Sequence, residues 1–245
     1  MRCISSTLTI FRRELVSYFA SPVAYVFIVI FLVLAGFMTF PVSDFFARNQ
    51  ADLQPFFFWH PWLYLFLVPA IGMRLWSEER RSGSVELLLT LPITDWEAIS
   101  GKFLAAWAFL GLALALTFPA VLTVIYLGNP DEGVILSGYI GSFLLAGVYL
   151  AVCNMASSLT RSQTVGFILG VVGCLFIVLS GWTPVTDIFA GWTPQWFVNG
   201  LQAFSVLPHY EALQRGVIDL RDIVYSASVI VFCLYVTGVV LRNRR

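Results

Sequence analysis

Charge is scarce in this sequence: only 11% of its 245 residues are Asp, Glu, Lys or Arg, against roughly 25% in an ordinary soluble domain. That leaves too few charges to cover a globule of this length in water. Histidine is scarcer still. His60 and His209 are the only two, both in or beside segments that the charge pattern assigns to external loops. A Ser-His protease site or a histidine-based metal site is hard to build from two such residues. The four cysteines, Cys3, Cys153, Cys174 and Cys233, form no Cys-x-x-Cys pair and no ligand spacing with histidine. Three of them sit in apolar runs, where cysteine acts as a small hydrophobe. There is no Gly-x-x-x-x-Gly-Lys-Ser/Thr loop to cradle a nucleotide's phosphates, so the chain does not bind ATP in that way. Net charge is missing as well. Fourteen basic residues balance fourteen acidic ones, which gives no pull toward nucleic acid.

What the sequence has in abundance is apolar length. Hydrophobic residues make up 59% of the chain. Six runs approach or reach the roughly 20 residues that a helix needs to cross a bilayer: residues 22–40, 56–75, 103–127, 134–159, 164–181 and 223–241. The expectation is an all-α integral membrane protein of six transmembrane helices, forming one domain over residues 1–245. A cleaved signal peptide is not expected, because the first run is too long for a signal core and lacks a small-x-small cleavage site. No run carries a charge near its middle, which argues against an ion-coupled carrier.

Orientation follows from where lysine and arginine flank the runs. With the N-terminus inside, the inner set is Arg2, Arg12, Arg13, Arg74, Arg80, Arg81, Lys102, Arg161, Arg242, Arg244 and Arg245. The outer set is Arg48, Arg215 and Arg221, so the split is eleven to three. Both termini are therefore expected in the cytoplasm, in a multi-pass protein of the bacterial inner membrane.

The connecting segments carry the remaining signals. Ile4, Leu8, Phe11, Leu15 and Tyr18 recur at helical spacing, which predicts an amphipathic helix over residues 4–20 that Ser21-Pro22 ends. It is either a simple anchor or an elbow helix supporting a mobile bundle. Residues 76–101 hold the densest charge. Glu78, Glu79, Arg80 and Arg81 lead to Gly83, then to Ser84 as a possible cap for a short helix through Leu91 that holds Glu86, Leu87 and Leu88. Thr94 followed by Glu97 matches a capping box opening the next helix. The bland alternative is a solvated turn whose arginines only fix topology, and the sharper one is a docking helix for a soluble partner. The outer segment 182–222 holds Gly181-Trp182-Thr183-Pro184, echoed at Gly191-Trp192-Thr193-Pro194, with Trp196, Phe197, Phe204 and Tyr210. Interfacial anchoring is the default use of such aromatics, and a lid over an exit path is the alternative. Small residues four apart, at Gly166 and Gly170 and through Ser137, Gly138, Gly141 and Ser142, predict close helix packing. Pro69 and Pro119 are expected to kink the second and third spans.

The stretch Glu79-Arg80-Arg81-Ser82-Gly83-Ser84-Val85-Glu86-Leu87-Leu88, followed by Pro92 and Gly101-Lys102, resembles the cytoplasmic signature of type-2 ABC exporter permeases. Ser84 stands where that family usually has threonine. A second stretch, from Arg215-Gly216-Val217 to Ile223-Val224-Tyr225, looks like the gliding-motility-associated branch. The resemblance implies that Glu78, Glu79, Arg80, Arg81, Gly83, Glu86, Leu87 and Leu88 form an ATPase-coupling segment. It also implies a dimer of ATP-binding subunits, a second permease subunit and a large extracytoplasmic partner. No cofactor is expected in this chain, and Mg-ATP belongs to the partner. The competing expectation is a membrane scaffold of the same family that acts mechanically on envelope proteins or lipoproteins without transporting a substrate.

Overall fold

The computed structural model describes residues 2–48, 50–83, 94–190, 194, 196, 200 and 202–243, with the side chains of 2–5 and 188–190 left aside. Every regular element among them is helical. Helix α1 (Arg2–Ala20) stops at Ser21, whose hydroxyl accepts from the Val23 amide and caps α2 (Pro22–Phe37). Proline at the first turn of α2 forfeits only an amide that would be orphaned anyway. A π turn (Met38–Val42) extends α2. Next come α3 (Gln54–Gly72) and α4 (Arg74–Ser82), then α5 (Asp95–Ala115) and α6 (Phe118–Leu127). The chain continues through α7 (Glu132–Leu159), α8 (Gln163–Leu179), α9 (Thr183–Ala190), α10 (Leu207–Gln214) and α11 (Leu220–Asn243).

Among the described residues, five helical stretches are long and apolar enough to cross a membrane: Pro22–Val42, Gln54–Ser82, Asp95–Leu127, Glu132–Leu159 and Leu220–Asn243. Gln163–Leu179 is apolar but has 17 residues, about 26 Å of helix. Two stretches outrun their apolar runs. Helix continues to Ser82 on one side and starts at Asp95 on the other, so the connection between the second and third stretches narrows to residues 83–94. The third breaks at Leu116–Thr117, just ahead of Pro119, and the Thr117 hydroxyl then bonds the Leu114 carbonyl and the Tyr139 hydroxyl. The second runs through Pro61 and Pro69, and α4 follows α3 directly after Met73.

Helix α7 is the central post, packed by α3, α5, α8, α10 and α11. Its small residues do what their spacing predicts. A Cβ on Gly138 would fall inside the Phe57 ring of α3, and Gly141 and Ser142 make room for Leu213 and Tyr210 of α10. Gly170 of α8 lets that helix close on Cys153 and Pro69. Helix α1 lies along α5, and a Cβ at Gly101 would meet Ile10 at 2.9 Å. Of the expected apolar stripe on α1, Leu15 and Tyr18 pack against the core, while Leu8 is 63% exposed and Ile10 is the buried contact. The outer faces of α2 and α11 expose valines, Phe232 and Tyr235 over their length, an apolar surface too extensive for water. Several apolar helices of this kind make the chain a multi-pass membrane protein.

One placement corrects the sequence reading. His60, expected in or beside an outer loop as a peripheral residue, is instead fully buried in the second turn of α3, with Nδ1 2.9 Å from the Phe56 carbonyl and the rings of Phe31, Phe56 and Tyr64 around it. The aromatic neighbours supply the apolar surroundings that a helix end facing outward would lack.

Candidate functional site

Where α4 meets α5, a single buried cation organises the polar groups. Lys102, in the second turn of α5, is only 4% exposed. Its Nζ lies 2.6 Å from Glu79 Oε1 and 3.5 Å from Glu14 Oε1, donates to the Leu75 carbonyl at 3.3 Å, and stands 5.3 Å over the Trp76 ring. Burying an ammonium is costly unless partners surround it. Here two carboxylates, a carbonyl and an indole face surround it, and together they tie α1, α4 and α5. The Gly101-Lys102 pair thus has two separate uses: Gly101 lets α1 approach and Lys102 holds it.

Helix α4 is also pinned to α7. Trp76 and Ser77 lie in the first turn of α4, where the amides have no partner within that helix. Both instead donate to Ser157 Oγ at 3.1 Å, and that hydroxyl donates on to the Met73 carbonyl at 3.0 Å. The Trp76 indole N–H donates to Asn154 Oδ1 at 2.7 Å, and Arg80 donates to the Ser158 carbonyl near the end of α7. A guanidinium at a helix C-terminus is electrostatically well placed.

The coupling residues named from sequence separate into groups. Glu79 and Arg80 point inward and bond within the chain. Glu78 and Arg81 are exposed. Gly83 ends α4 in the left-handed conformation, φ 73°, which glycine adopts without strain. Glu86, Leu87, Leu88 and the Ser84 cap lie outside the described residues. Beyond them α5 opens at the expected capping box: the Thr94 hydroxyl accepts from the Glu97 amide at 3.3 Å, and the Glu97 carboxylate accepts from the Thr94 amide at 2.7 Å. Asp95 sits 3.9 Å from Arg242, and Trp96 stacks on Tyr235 at 5.9 Å, which joins this end of α5 to α11. Both ends of the 84–93 segment are therefore anchored to the helices that carry the bundle.

Lys102 entered the sequence reading as an inner-side charge and as the close of the Gly101-Lys102 signature, and Trp76 as the start of the charged segment, while Glu14, Asn154 and Ser157 carried no expectation of their own. One signal was present. Asn154 is a lone amide in an otherwise apolar run, and such a group in a membrane span needs a partner.

At the opposite end, α10 is seated between α3 and α7. Pro61 has no amide to give the Phe57 carbonyl, and the Tyr210 hydroxyl donates to that carbonyl at 2.7 Å in its place. Ser142 Oγ is 3.2 Å from the same phenol, and Gln214 donates to the Gln54 carbonyl at 2.9 Å. Burial pushes the Tyr210 phenol above its ordinary value, against a smaller opposite pull from Ser142, so it stays protonated and able to donate. His209 pairs with Asp222 at 2.7 Å and stacks on Tyr225 at 4.1 Å. Tyr210 is thus a buried bracket and not an interfacial anchor, whereas Trp196 and Phe204 are exposed.

A family model described as ABC-2 family transporter protein matches residues 8–241. No curated protein matches the sequence.

Proposed function

Because the chain belongs to the ABC-2 transporter family, whose members are membrane components that normally work with an ATP-binding subunit, we propose that it is a permease subunit driven by a separate ATPase. ATP hydrolysis in that partner powers export across the bacterial inner membrane. The observation that carries this reading is the brace around Lys102. It makes the two helices flanking the 84–93 segment into one body with α1, and Ser157 and Asn154 join α7 to it. A partner pressing on that segment would move whole spans, not a loop.

In this reading Glu78 and Arg81 meet the ATPase, with Glu86, Leu87 and Leu88 between them and α5. Glu79, Arg80 and Gly83 hold the segment in place. Helix α8 is counted in this reading as a sixth crossing despite its length, and the contacts at its two ends support it. Gly166 lies by the Met73 carbonyl and Ser157 at one end, and Gly181 lies against Ser205 and Pro208 at the other. Six crossings and the basic flanks put both termini in the cytoplasm, with α1 as an elbow in the inner interface. A second permease copy or relative would cover part of the exposed α2 and α11 faces. The motif from Arg215 to Tyr225 is the ground for the gliding-motility-associated branch, and with it for a large extracytoplasmic partner.

The test is co-expression with the ATP-binding subunit and affinity purification. The E78R/R81E variant is expected to insert normally and to lose the ATPase at least about tenfold, the worth of one charge-assisted contact. Undiminished co-purification and ATPase stimulation in that variant would refute docking at this segment.

A further inference from the structure

A cavity of about 490 Å³ opens where apolar α3 gives way to polar α4, between α1, α2, α4 and α5. Val23, Ala24 and Phe27 form its aliphatic and aromatic wall, and Tyr18, Arg74 and Glu78 belong to its polar side. Arg74 and Glu78 are one turn apart on α4, a spacing that places them on one face and ordinarily lets opposite charges pair. They do not pair here, and neither enters an ion pair with any described residue. The other charges around the cavity are engaged, Arg13 with Glu14, and Glu14 and Glu79 with Lys102. The cavity therefore offers one guanidinium and one carboxylate beside apolar surface, at the depth where a membrane span ends.

That set matches a zwitterion carrying an acyl chain. A phosphate takes the guanidinium, whose planar donors fit its oxygens. The carboxylate calls for a cation that donates hydrogen bonds, and a primary ammonium has three such donors. A quaternary ammonium has none and would need an open aromatic cage. The rings here do not form one, since Tyr18 and Phe109 stack face to face at 5.3 Å. A glycerol headgroup could donate hydroxyl hydrogen bonds to Glu78 but brings no cation to it. We infer that this cavity holds the headgroup of a phosphoethanolamine lipid, its phosphate on Arg74 and its ammonium on Glu78, with an acyl chain leaving along Val23 and Phe27. The site sits against Lys102 and Glu79, so the bound lipid borders the brace that links α1 to α4. This inference needs only the chain's place in a bilayer, and because it shares Glu78 with the proposed ATPase contact, it is tested on the subunit alone, where no ATPase competes for that carboxylate.

Native mass spectrometry of the full-length protein in detergent tests it, with phosphatidylethanolamine, phosphatidylcholine and phosphatidylglycerol of identical acyl chains added in turn. The ethanolamine lipid is expected to bind about tenfold more tightly than the other two, the worth of one charge-assisted hydrogen bond. E78Q should erase its advantage over the choline lipid, and R74Q should weaken all three. Both side chains are exposed, and a thermal melt checks that each variant is folded. Equal binding of the three lipids to the unaltered protein overturns the inference, as does an E78Q variant that keeps the ethanolamine preference. Soluble phosphoethanolamine binding as tightly as the lipid also overturns it, since the occupant would then be a free metabolite.

Discussion

Lys102 shows how one side chain can carry more of the architecture than its neighbours in sequence suggest. Its ammonium satisfies Glu79 and Glu14 at once, and both carboxylates are about a fifth exposed. Replacing Lys102 with Met keeps the length of the stem but leaves two carboxylates facing each other across α1 and α4. Breaking a fully buried pair costs about 3–5 kcal/mol. With water reaching both carboxylates here, about 2 kcal/mol is the expected loss. Thermal unfolding of Lys102→Met in detergent should show that drop. Adding Glu79→Gln and Glu14→Gln to it should recover most of the loss, because no uncompensated charge then remains. A double-mutant cycle without such coupling would remove the brace from this account.

Elements are held here by fitting groups that a helix leaves unmatched. Pro61 orphans the Phe57 carbonyl inside α3, and α10 is drawn in because Tyr210 supplies the missing donor. Tyr210→Phe keeps the ring and removes the bond, at a cost of about 1–2 kcal/mol, since a buried carbonyl is left unsatisfied. Ser142 cannot replace the phenol if α10 shifts, so hydrogen exchange over residues 207–214 should rise as well. The phenol's raised pKa means that its folded form favours the neutral state. Its contribution is full below the unfolded value near 10 and is lost only as pH rises beyond it. Much at this scale was legible in sequence. Ser21-Pro22 separates α1 from α2, Thr94 and Glu97 open α5, and the glycines of α7 receive Phe57 and α10. What was not legible depends on distance in three dimensions. Nothing local says that Lys102 meets Glu14, 88 positions away, or that Tyr210 answers Pro61. His60 read as polar and peripheral because its aromatic surroundings come partly from α2, through Phe31.

For the whole molecule, the two ends of the bundle differ in construction. One end carries the brace of Lys102, Glu79 and Ser157, the Arg242–Asp95 contact and the exposed Glu78 and Arg81. The other carries α10, the His209–Asp222 pair and the exposed Trp196 and Phe204. The braced end suits a partner that pushes, and in the proposed topology it is the end that faces the cytoplasm. Composition was enough to indicate the membrane, and the charges near Glu79 are what single out the segment proposed to dock. The division of those charges into Glu79 and Arg80 for the fold and Glu78 and Arg81 for the surface needed the structure. The most direct measurement is cysteine cross-linking in native membranes, from Arg81→Cys on one end and Arg215→Cys on the other, with Cys3 replaced by serine. Arg81→Cys should form an adduct with the ATP-binding subunit in a nucleotide-dependent yield, and Arg215→Cys should form none. An ATPase adduct from Arg215→Cys, or its absence from Arg81→Cys in a membrane that holds the assembled complex, would contradict the account.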